Sequence, residues 1–338
     1  MSKGVMLVRK GVVWIAMAGM ILVGLYQCFY ALSLSPISET PQQTIITIES
    51  GSSVKVIAQQ LEQQGLMDYP SVFNVLLHIT KQAKKLRAGD YRVDTTWNYQ
   101  ELLKHLTEDA EVQYPITIIE GMTLKDAVQA VRALPKMKQD LSAQPWDEIQ
   151  QLLGLTAYPE GMLLPNTYFI TSGTKESVFY RRAYQALTDV MEREWPARAP
   201  NLPFNSAYEA LVAASIVEKE TGVVGERPLI AAVIVNRLRK GMPLQMDPTV
   251  IYGMGAEFQG NIRKKDLQTP TPYNTYTNKG LPPTPIALAS AESIYAVLHP
   301  AQSDVLYFVA KGDGSHVFSS TLEAHNAAVS QYQLGIKP

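Results

Sequence analysis

Apolar residues form one long block near the N-terminus and shorter periodic runs after it. No charged residue occurs between Lys10 and Glu39, and residues 11–32 are mostly apolar. A helix of this length spans about 33 Å at 1.5 Å per residue, which is enough for the ~30 Å hydrocarbon core of a bilayer. The pattern therefore predicts one transmembrane helix over residues 11–32.

The basic residues around this block indicate its orientation. Lys3, Arg9 and Lys10 precede the block, and the next basic residue is Lys55. Because Lys and Arg are enriched on the cytoplasmic side, we expect residues 1–10 in the cytoplasm and the chain after the helix outside it. This topology is that of a single-pass protein of the inner (cytoplasmic) membrane with a periplasmic or extracytoplasmic C-terminal part. A cleaved signal peptide is the alternative, although its apolar core is usually only 7–15 residues long.

The chain after the predicted helix begins with a polar segment and then repeats one pattern. Residues 33–43 carry two prolines, which predicts a flexible linker. The phrases "ESGSSVKVIAQQL" and "EGMTLKDAVQAV" then each follow a β-branched run, about seventy residues apart. Each phrase reads as a turn and an amphipathic helix, and a glycine-containing extended piece comes later. We therefore predict two related β-α-β modules, at 44–113 and 114–174.

Helical signals dominate residues 175–338. The sequence Ser206-x-x-Glu209 is typical of a capping box, and the helix that it begins should stop at Gly222. Asp247 as N-cap and Pro248 at the first helical position predict another helix start. Further predictions are a helix at 229–240, a helix at 291–298, a β-hairpin turned at 312–314 and a last helix opened by Ser320. The expected fold class is α+β: one transmembrane helix, two small modules, and a mainly helical domain with a β-hairpin.

Composition narrows the possible ligands. The chain has 30 basic and 31 acidic residues, so its balance of charge does not suggest a nucleic-acid partner. Its one cysteine, Cys28, lies in the apolar block, which leaves none for a disulfide in the exported part. The five histidines show no metal-binding spacing, and no phosphate or dinucleotide loop is present, so no metal or cofactor is expected. Residues 259–285 form a long loop rich in Asn, Thr, Tyr and Pro, a composition that suits a carbohydrate-binding lip.

Glu218 is the candidate catalytic acid. It shares an apolar stripe with Leu211 and Ala214 near the C-terminal end of a predicted helix. Partial burial and the negative end of the helix dipole both favour the neutral form that a general acid needs. Glu220 lies about 200° around the same helix, so the two acids are not expected to share a proton. An ordinary ion pair is the competing interpretation of Glu218, with Lys219 or Arg227 as partner.

Several long motifs in fixed order resemble one known family. They include "ASIVEKET", "NRL" at 236–238, "LQMDPTVIYGMG", "TPYNTYTNKGLPPTPI" and "YFVAKGDGSHVFSSTLEAHNAAV". Together with the N-terminal block and the repeated module, they make the chain similar to the endolytic murein transglycosylase (MltG/YceG-like) family over nearly its whole length. The resemblance implies LysM-like modules at 44–113 and 114–174 and a catalytic domain at 175–338.

The family resemblance also implies the chemistry. It implies cleavage of the β-1,4 bond between N-acetylmuramic acid and N-acetylglucosamine within peptidoglycan strands, with Glu218 at the position of the catalytic glutamate. The C6 hydroxyl of the muramoyl sugar replaces a second carboxylate and gives a 1,6-anhydro end. Polar side chains should line the groove, and the candidates are Gln245, Asp247, Tyr252, Asn274 and Tyr276. Helix capping and loop packing are the alternative roles of these five residues.

Two other functions remain open. A muramidase would use water, with Asp247 or Glu220 as its second carboxylate. A non-catalytic scaffold would bind peptidoglycan through the duplicated modules and recruit synthases. The family resemblance favours an enzyme that ends nascent strands near penicillin-binding protein synthases.

Overall fold

The computed structural model describes residues 2–108 and 111–334, which form two compact units. The first unit ends at Tyr114 and includes Thr171–Gly173, and the second comprises Pro115–Ile170 and continues from Thr174. The predicted module 114–174 therefore lies mostly in the same unit as the predicted catalytic domain. Three short stretches lie outside the described residues: residue 1 of the predicted N-terminus, residues 109–110 of the predicted first module, and residues 335–338 of the predicted catalytic domain.

The chain begins with the long helix α1 (Ser2–Ser33). Within it, Val12–Ser33 has a mean hydropathy of 2.0 over its most apolar window and none of that window is buried. This segment is long and apolar enough to cross a membrane, in agreement with the predicted span at 11–32. Near its C-terminal end, Phe29 and Leu32 pack on the core of the first unit.

Besides α1, the first unit combines a two-stranded sheet with three α-helices. Strands β1 (Gln43–Ile48) and β2 (Gly89–Asp94) pair antiparallel over their full length. The Ser53 side chain accepts a hydrogen bond from the Val56 amide and so caps α2, as serine often does at this position. The helices of the unit are α2 (Val54–Gln63), α3 (Pro70–Thr80) and α4 (Tyr99–Glu108).

Residues 33–43 are packed against this unit, contrary to their predicted role as a flexible linker. Ile37 is fully buried. Its amide donates to the Trp97 carbonyl at 2.8 Å, and its carbonyl accepts from the Asp68 amide at 2.8 Å. The Ser38 hydroxyl donates to the Asp68 carboxylate at 3.1 Å. The composition correctly indicates irregular structure, but contacts with distant residues hold the segment in place.

The second unit begins with the repeat of the first pattern. Strand β3 (Tyr114–Ile118) is followed by α5 (Leu124–Arg132), whose N-terminus carries a capping box formed by Thr123 and Asp126. After β4 (Met137–Lys138) and α6 (Trp146–Leu152), strand β5 (Asn166–Ile170) pairs with β3. Strand β6 (Thr174–Lys175) pairs in parallel with β4. Both predicted modules thus contain a strand, a capped helix and a later strand that pairs with the first, whereas their likeness to LysM stays a prediction.

The rest of the second unit is mainly helical. Helix α8 is buried over all residues from Ala210 to Val217, because α9 and α12 pack against it. The elements are α7 (Glu176–Glu194), α8 (Ala207–Glu220), α9 (Arg227–Arg239), α10 (Asp247–Met254), α11 (Lys264–Gln268), α12 (Ala291–Leu298), β7 (Tyr307–Ala310), β8 (His316–Ser319) and α13 (Leu322–Tyr332). Strands β7 and β8 form the predicted antiparallel hairpin.

Helix starts agree with the sequence patterns except in three details. Helix α13 is capped by Thr321, whose hydroxyl accepts from the Ala324 amide at 3.2 Å, so the predicted start at Ser320 is wrong by one residue. The Ser206 hydroxyl accepts from the Glu209 amide at 3.2 Å, but the Glu209 carboxylate accepts from the Asn205 amide instead of completing the box. At α10 the N-cap residue is Met246, and Asp247 is the first helical residue. The predicted capping role of Asp247 is therefore wrong, and its side chain is available for other contacts.

Candidate active site

The last turn of α8 carries two carboxylates to opposite sides of the helix. Glu218 and Glu220 are two residues apart, which is about 200° of helical rotation. The helix ends at Glu220, and Thr221 leaves it in an extended conformation. The two acids therefore meet different surroundings, and these surroundings decide what each can do.

The Glu218 carboxylate is held by two neighbouring elements. Its side chain is only 4% exposed, and the Arg227 Nη2 donates to Oε1 at 3.1 Å. The Ser290 amide donates to Oε2 at 2.8 Å, and the Ser290 hydroxyl donates to the same oxygen. Because Arg227 begins α9 and Ser290 caps α12, Glu218 ties the end of α8 to both helices. This is the ion-pair interpretation that the sequence left open.

Glu220 faces a polar cavity of about 470 Å³, which we call the Glu220 cavity. Three of the five predicted substrate-binding residues line it together with Glu220, whereas Glu218 is absent from its wall. Its polar lining includes Glu220, Arg237, Gln245, Asp247, Tyr276 and His316.

Burial gives Glu220 the protonation of a general acid. Burial and, to a smaller extent, the Asp247 charge raise the pKa of the Glu220 carboxyl, Arg237 lowers it, and the net pKa is about 8. Among the residues that the structure describes, none donates a hydrogen bond to this carboxyl. A protonated carboxyl at pH 7 with free oxygens is suited to donating a proton to a ligand.

Asp247, Tyr276 and Gln245 are linked by hydrogen bonds beside this acid. The Tyr276 hydroxyl donates to the Asp247 Oδ1 at 2.5 Å. Gln245 has a φ of 52°, in the left-handed region, and its amide donates to the Thr275 carbonyl at 3.1 Å. Its side-chain oxygen accepts from Arg237 at 3.3 Å. The loop that contains Thr275 and Tyr276 is thereby joined to the start of α10 at the cavity wall.

Asn274 and Tyr252, the other two predicted binding residues, do not line the Glu220 cavity. Asn274 is fully buried, and its side-chain amide donates to the carbonyls of Asp266, Leu267 and Thr269 at 3.3, 3.1 and 2.8 Å. The Tyr252 hydroxyl donates to the buried Glu160 carboxylate at 3.0 Å. These contacts give both residues a packing role, which was the alternative for them in the sequence analysis.

Comparison with known proteins identifies the family. The model of the YceG-like family matches residues 46–331, which is most of the chain. The chain belongs to the YceG-like family. A relative in Bacillus subtilis (strain 168), named endolytic murein transglycosylase, is 33% identical over 88% of each chain. A relative of the same name in Streptococcus pneumoniae serotype 2 is 30% identical over 89% of this chain and 60% of its own length.

A solved structure supports the same assignment. The crystal structure of a YceG-like protein from Listeria monocytogenes is 30% identical in sequence, with a TM-score of 0.51. The match covers 85% of this chain and 99% of that one. Given the family and relatives of this name over most of its length, the chain is an enzyme of the lytic transglycosylase class.

The cavity of this YceG-like chain also contains residues that the sequence analysis did not select. Arg237 is buried, and it donates to the carbonyls of Leu306 and Leu244 at 2.7 Å each. The His316 Nδ1 lies 2.7 Å from the Glu226 carboxylate, which also accepts from the His316 amide at 2.8 Å. Both residues stand in or beside motifs that carried the family resemblance, so the signal was available. The described residues contain no group of three or more His, Cys, Asp or Glu that could hold a metal ion.

Proposed function

We propose that the chain is an endolytic murein transglycosylase, anchored in the cytoplasmic membrane with both compact units outside the cytoplasm. Its substrate is the β-1,4 bond between N-acetylmuramic acid and N-acetylglucosamine inside peptidoglycan strands, and its product is a 1,6-anhydro end. The names of the relatives, the apolar segment Val12–Ser33 and the polar Glu220 cavity support this proposal. Ending nascent strands beside penicillin-binding protein synthases is the role that we propose for it in the cell.

We further propose Glu220, in place of Glu218, as the catalytic acid. The observation that carries this choice is the position of Glu220 on the cavity wall, with a pKa of about 8 and no hydrogen-bond donor among the described residues. Glu218 instead accepts hydrogen bonds on both oxygens from Arg227 and Ser290. An acid must reach the glycosidic oxygen to protonate it, and of the two acids only Glu220 has oxygens free for that contact.

One acid is sufficient for the proposed reaction. Glu220 gives its proton to the glycosidic oxygen as the bond from C1 to that oxygen breaks. The C6 hydroxyl of the muramoyl sugar then forms a bond to C1, and its proton passes to the Glu220 carboxylate, which restores the acid. Since a well-oriented intramolecular group reaches an effective molarity of ~10⁵–10⁸ M, this hydroxyl competes successfully with water. The Asp247 carboxylate supports the positive charge that develops on the sugar ring.

Paired conservative substitutions test the assignment of the acid. Glu220→Gln keeps the size of the side chain and removes its proton, so release of anhydro-ended fragments from purified peptidoglycan should fall by about 10²–10⁴-fold. Glu218→Gln should retain measurable release. The side-chain amide oxygen of this variant can still accept from Arg227, and the proposed acid Glu220 is unchanged. Loss of release in Glu218→Gln with normal release in Glu220→Gln would assign the acid to Glu218.

One rival reaction has a different product. The muramidase alternative remains because Asp247 lies on the same cavity wall as Glu220. It would yield reducing ends that are one water heavier than anhydro ends, and mass spectrometry of fragments from defined glycan strands distinguishes the two. The non-catalytic scaffold is no longer a rival, because the family and the names of the relatives make the chain an enzyme.

A further inference from the structure

Helix α1 and the first unit form a continuous structure at the end of the predicted membrane span. The Ser33 hydroxyl, at the last residue of α1, accepts from the Gln100 side chain at 3.2 Å. The following residues are packed through Ile37 and Ser38, as described above. No free linker therefore separates the span from the first unit within these described residues.

Two tyrosines indicate where the bilayer surface lies along α1. Tyr26 and Tyr30 are exposed, and their rings stack at a centroid distance of 6.3 Å. Tyrosine is enriched at the interface between membrane and water. Phe29, between them, packs on the core cluster of the first unit, which includes Leu76 and Leu77 of α3. Helix α3 contacts α1, so a bilayer surface at Tyr26 and Tyr30 would bring α3 to the level of the lipid headgroups.

Helix α3 leaves two aliphatic side chains exposed beside its core-facing stripe. Val72, Phe73, Leu76 and Leu77 face the core. Val75 and Ile79, one turn apart at the edge of this stripe, are 43% and 66% exposed. The residue before the helix, Tyr69, is 51% exposed. An amphipathic element with exposed aliphatic and aromatic side chains is typical of a segment lying in the membrane interface.

Basic residues predominate next to these side chains, although exposed Asp68 precedes Tyr69 and the Glu111 carboxylate lies beside Gly89. Residues 69–89 contain no Asp or Glu, and the segment after α3 has four exposed basic residues. They are Lys81, Lys84, Lys85 and Arg87. Basic segments at a membrane surface bind anionic lipids, and each Lys or Arg contributes about fivefold to the binding constant.

We propose that α3 and residues 81–87 form a docking surface for the anionic headgroups of the bilayer that α1 spans. Val75 and Ile79 enter the interface, and the basic side chains contact lipid phosphates. The first unit then rests on the membrane at a constant distance from it. This inference rests on the membrane anchoring proposed above, and it is independent of the assignment of the catalytic acid.

Spin-label depth measurements on the full chain in lipid nanodiscs test the docking. With Cys28→Ser as background, a nitroxide is attached at Ile79→Cys or, as a control, at Val178→Cys, which is 50% exposed on α7. We expect the label at 79 to collide more often with oxygen than with a water-soluble nickel complex, and the label at 178 to show the reverse. Equal nickel access at both positions would overturn the docking surface.

Lipid charge and a matched pair of substitutions test the basic segment. Phosphatidylglycerol added to phosphatidylcholine nanodiscs should deepen the label at 79. The double variant Lys84→Gln/Lys85→Gln should weaken this docking by about 30-fold. The control Lys264→Gln/Lys265→Gln, which changes an exposed pair on α11, should leave it unchanged. An equal effect of both double variants would contradict recognition by residues 81–87.

The outcomes distinguish this inference from the proposed function. Failure of the full chain to stay in the nanodiscs after an alkaline wash would contradict the anchoring and the docking together. Stable insertion with a water-exposed label at 79 would contradict the docking alone. Cleavage of peptidoglycan is measured separately and is not affected by either result.

Discussion

The dependence of cleavage on pH tests the role of Glu220 most directly. With the pKa of Glu220 raised to about 8 by burial, about nine tenths of the molecules carry the catalytic proton at pH 7 and about one tenth at pH 9. A glutamic acid that kept its ordinary pKa of 4.5 would be protonated in only about 0.3% of molecules at pH 7. We therefore expect kcat/KM to be nearly constant from pH 6 to 7 and to fall tenfold per unit well above pH 8.

Asp247→Asn changes this profile in a predictable direction. The negative charge of Asp247 raises the pKa of Glu220, so its removal should move the alkaline limb of the profile to lower pH. Asp189→Asn is the matched control, because Asp189 is an exposed residue of α7 outside the Glu220 cavity and loses the same charge. The assay is the initial rate of anhydro-end formation on defined glycan strands between pH 5 and 10. A rate that stays constant to pH 10, or a limb that Asp247→Asn leaves unmoved, would refute the reasoning.

Three further substitutions test the parts around the site. Burial raises the pKa of Glu160 to about 7, so its ionisation costs the folded state ~3 kcal/mol and stability should fall as pH rises from 4.5 to 7. This fall corresponds to about 6–12 °C in Tm, and Glu160→Gln should remove it. An unchanged pH dependence of thermal unfolding in this variant would contradict the prediction. His316→Asn keeps a donor for Glu226 but removes an imidazole ring from the wall of the Glu220 cavity, so kcat/KM should fall by about 10–100-fold with little change in Tm. A matching loss of Tm would indicate a structural role. Asn274→Ala removes the side-chain donor that three loop carbonyls share, so it should lower the free energy of unfolding by about 1–3 kcal/mol in denaturant titration. Lost activity at full stability would instead indicate that Asn274 binds substrate.

Local patterns were sufficient for most elements of the fold. The capped start of α8, the stop before Gly222, α12 and the hairpin of β7 and β8 all lie where the sequence predicts them. Each depends on residues that are close in the chain, such as Ser206 and the amide three residues later. The repeated pattern was visible for the same reason, because both copies carry their own turn and cap.

The site depends on residues that are distant in the chain, and there the sequence was less informative. Periodicity correctly predicts that Glu218 is buried, but not that Ser290, 72 residues later, would meet its carboxylate. In the same way, the polar composition of residues 33–43 does not reveal the contact of Ile37 with Trp97. Asn274 stands in a loop that looks suited to a ligand, yet the nearest acceptors are the carbonyls of that same loop. Composition describes what a side chain can bind, and tertiary contacts decide what it does bind.

The two acids of α8 have complementary roles in the proposed enzyme. A proton donor must hold its position to within about 0.5 Å, yet a carboxylate with free oxygens has no hydrogen bond of its own to fix it. Glu218 supplies that rigidity from the opposite side of the helix, because its contacts with Arg227 and Ser290 fasten the last turn of α8 to α9 and α12. Glu220 can then remain unpaired in the cavity, where burial keeps its proton at neutral pH. In the proposed mechanism the ion pair of Glu218 therefore has a positioning role, and Glu220, two residues later, is the acid that it positions.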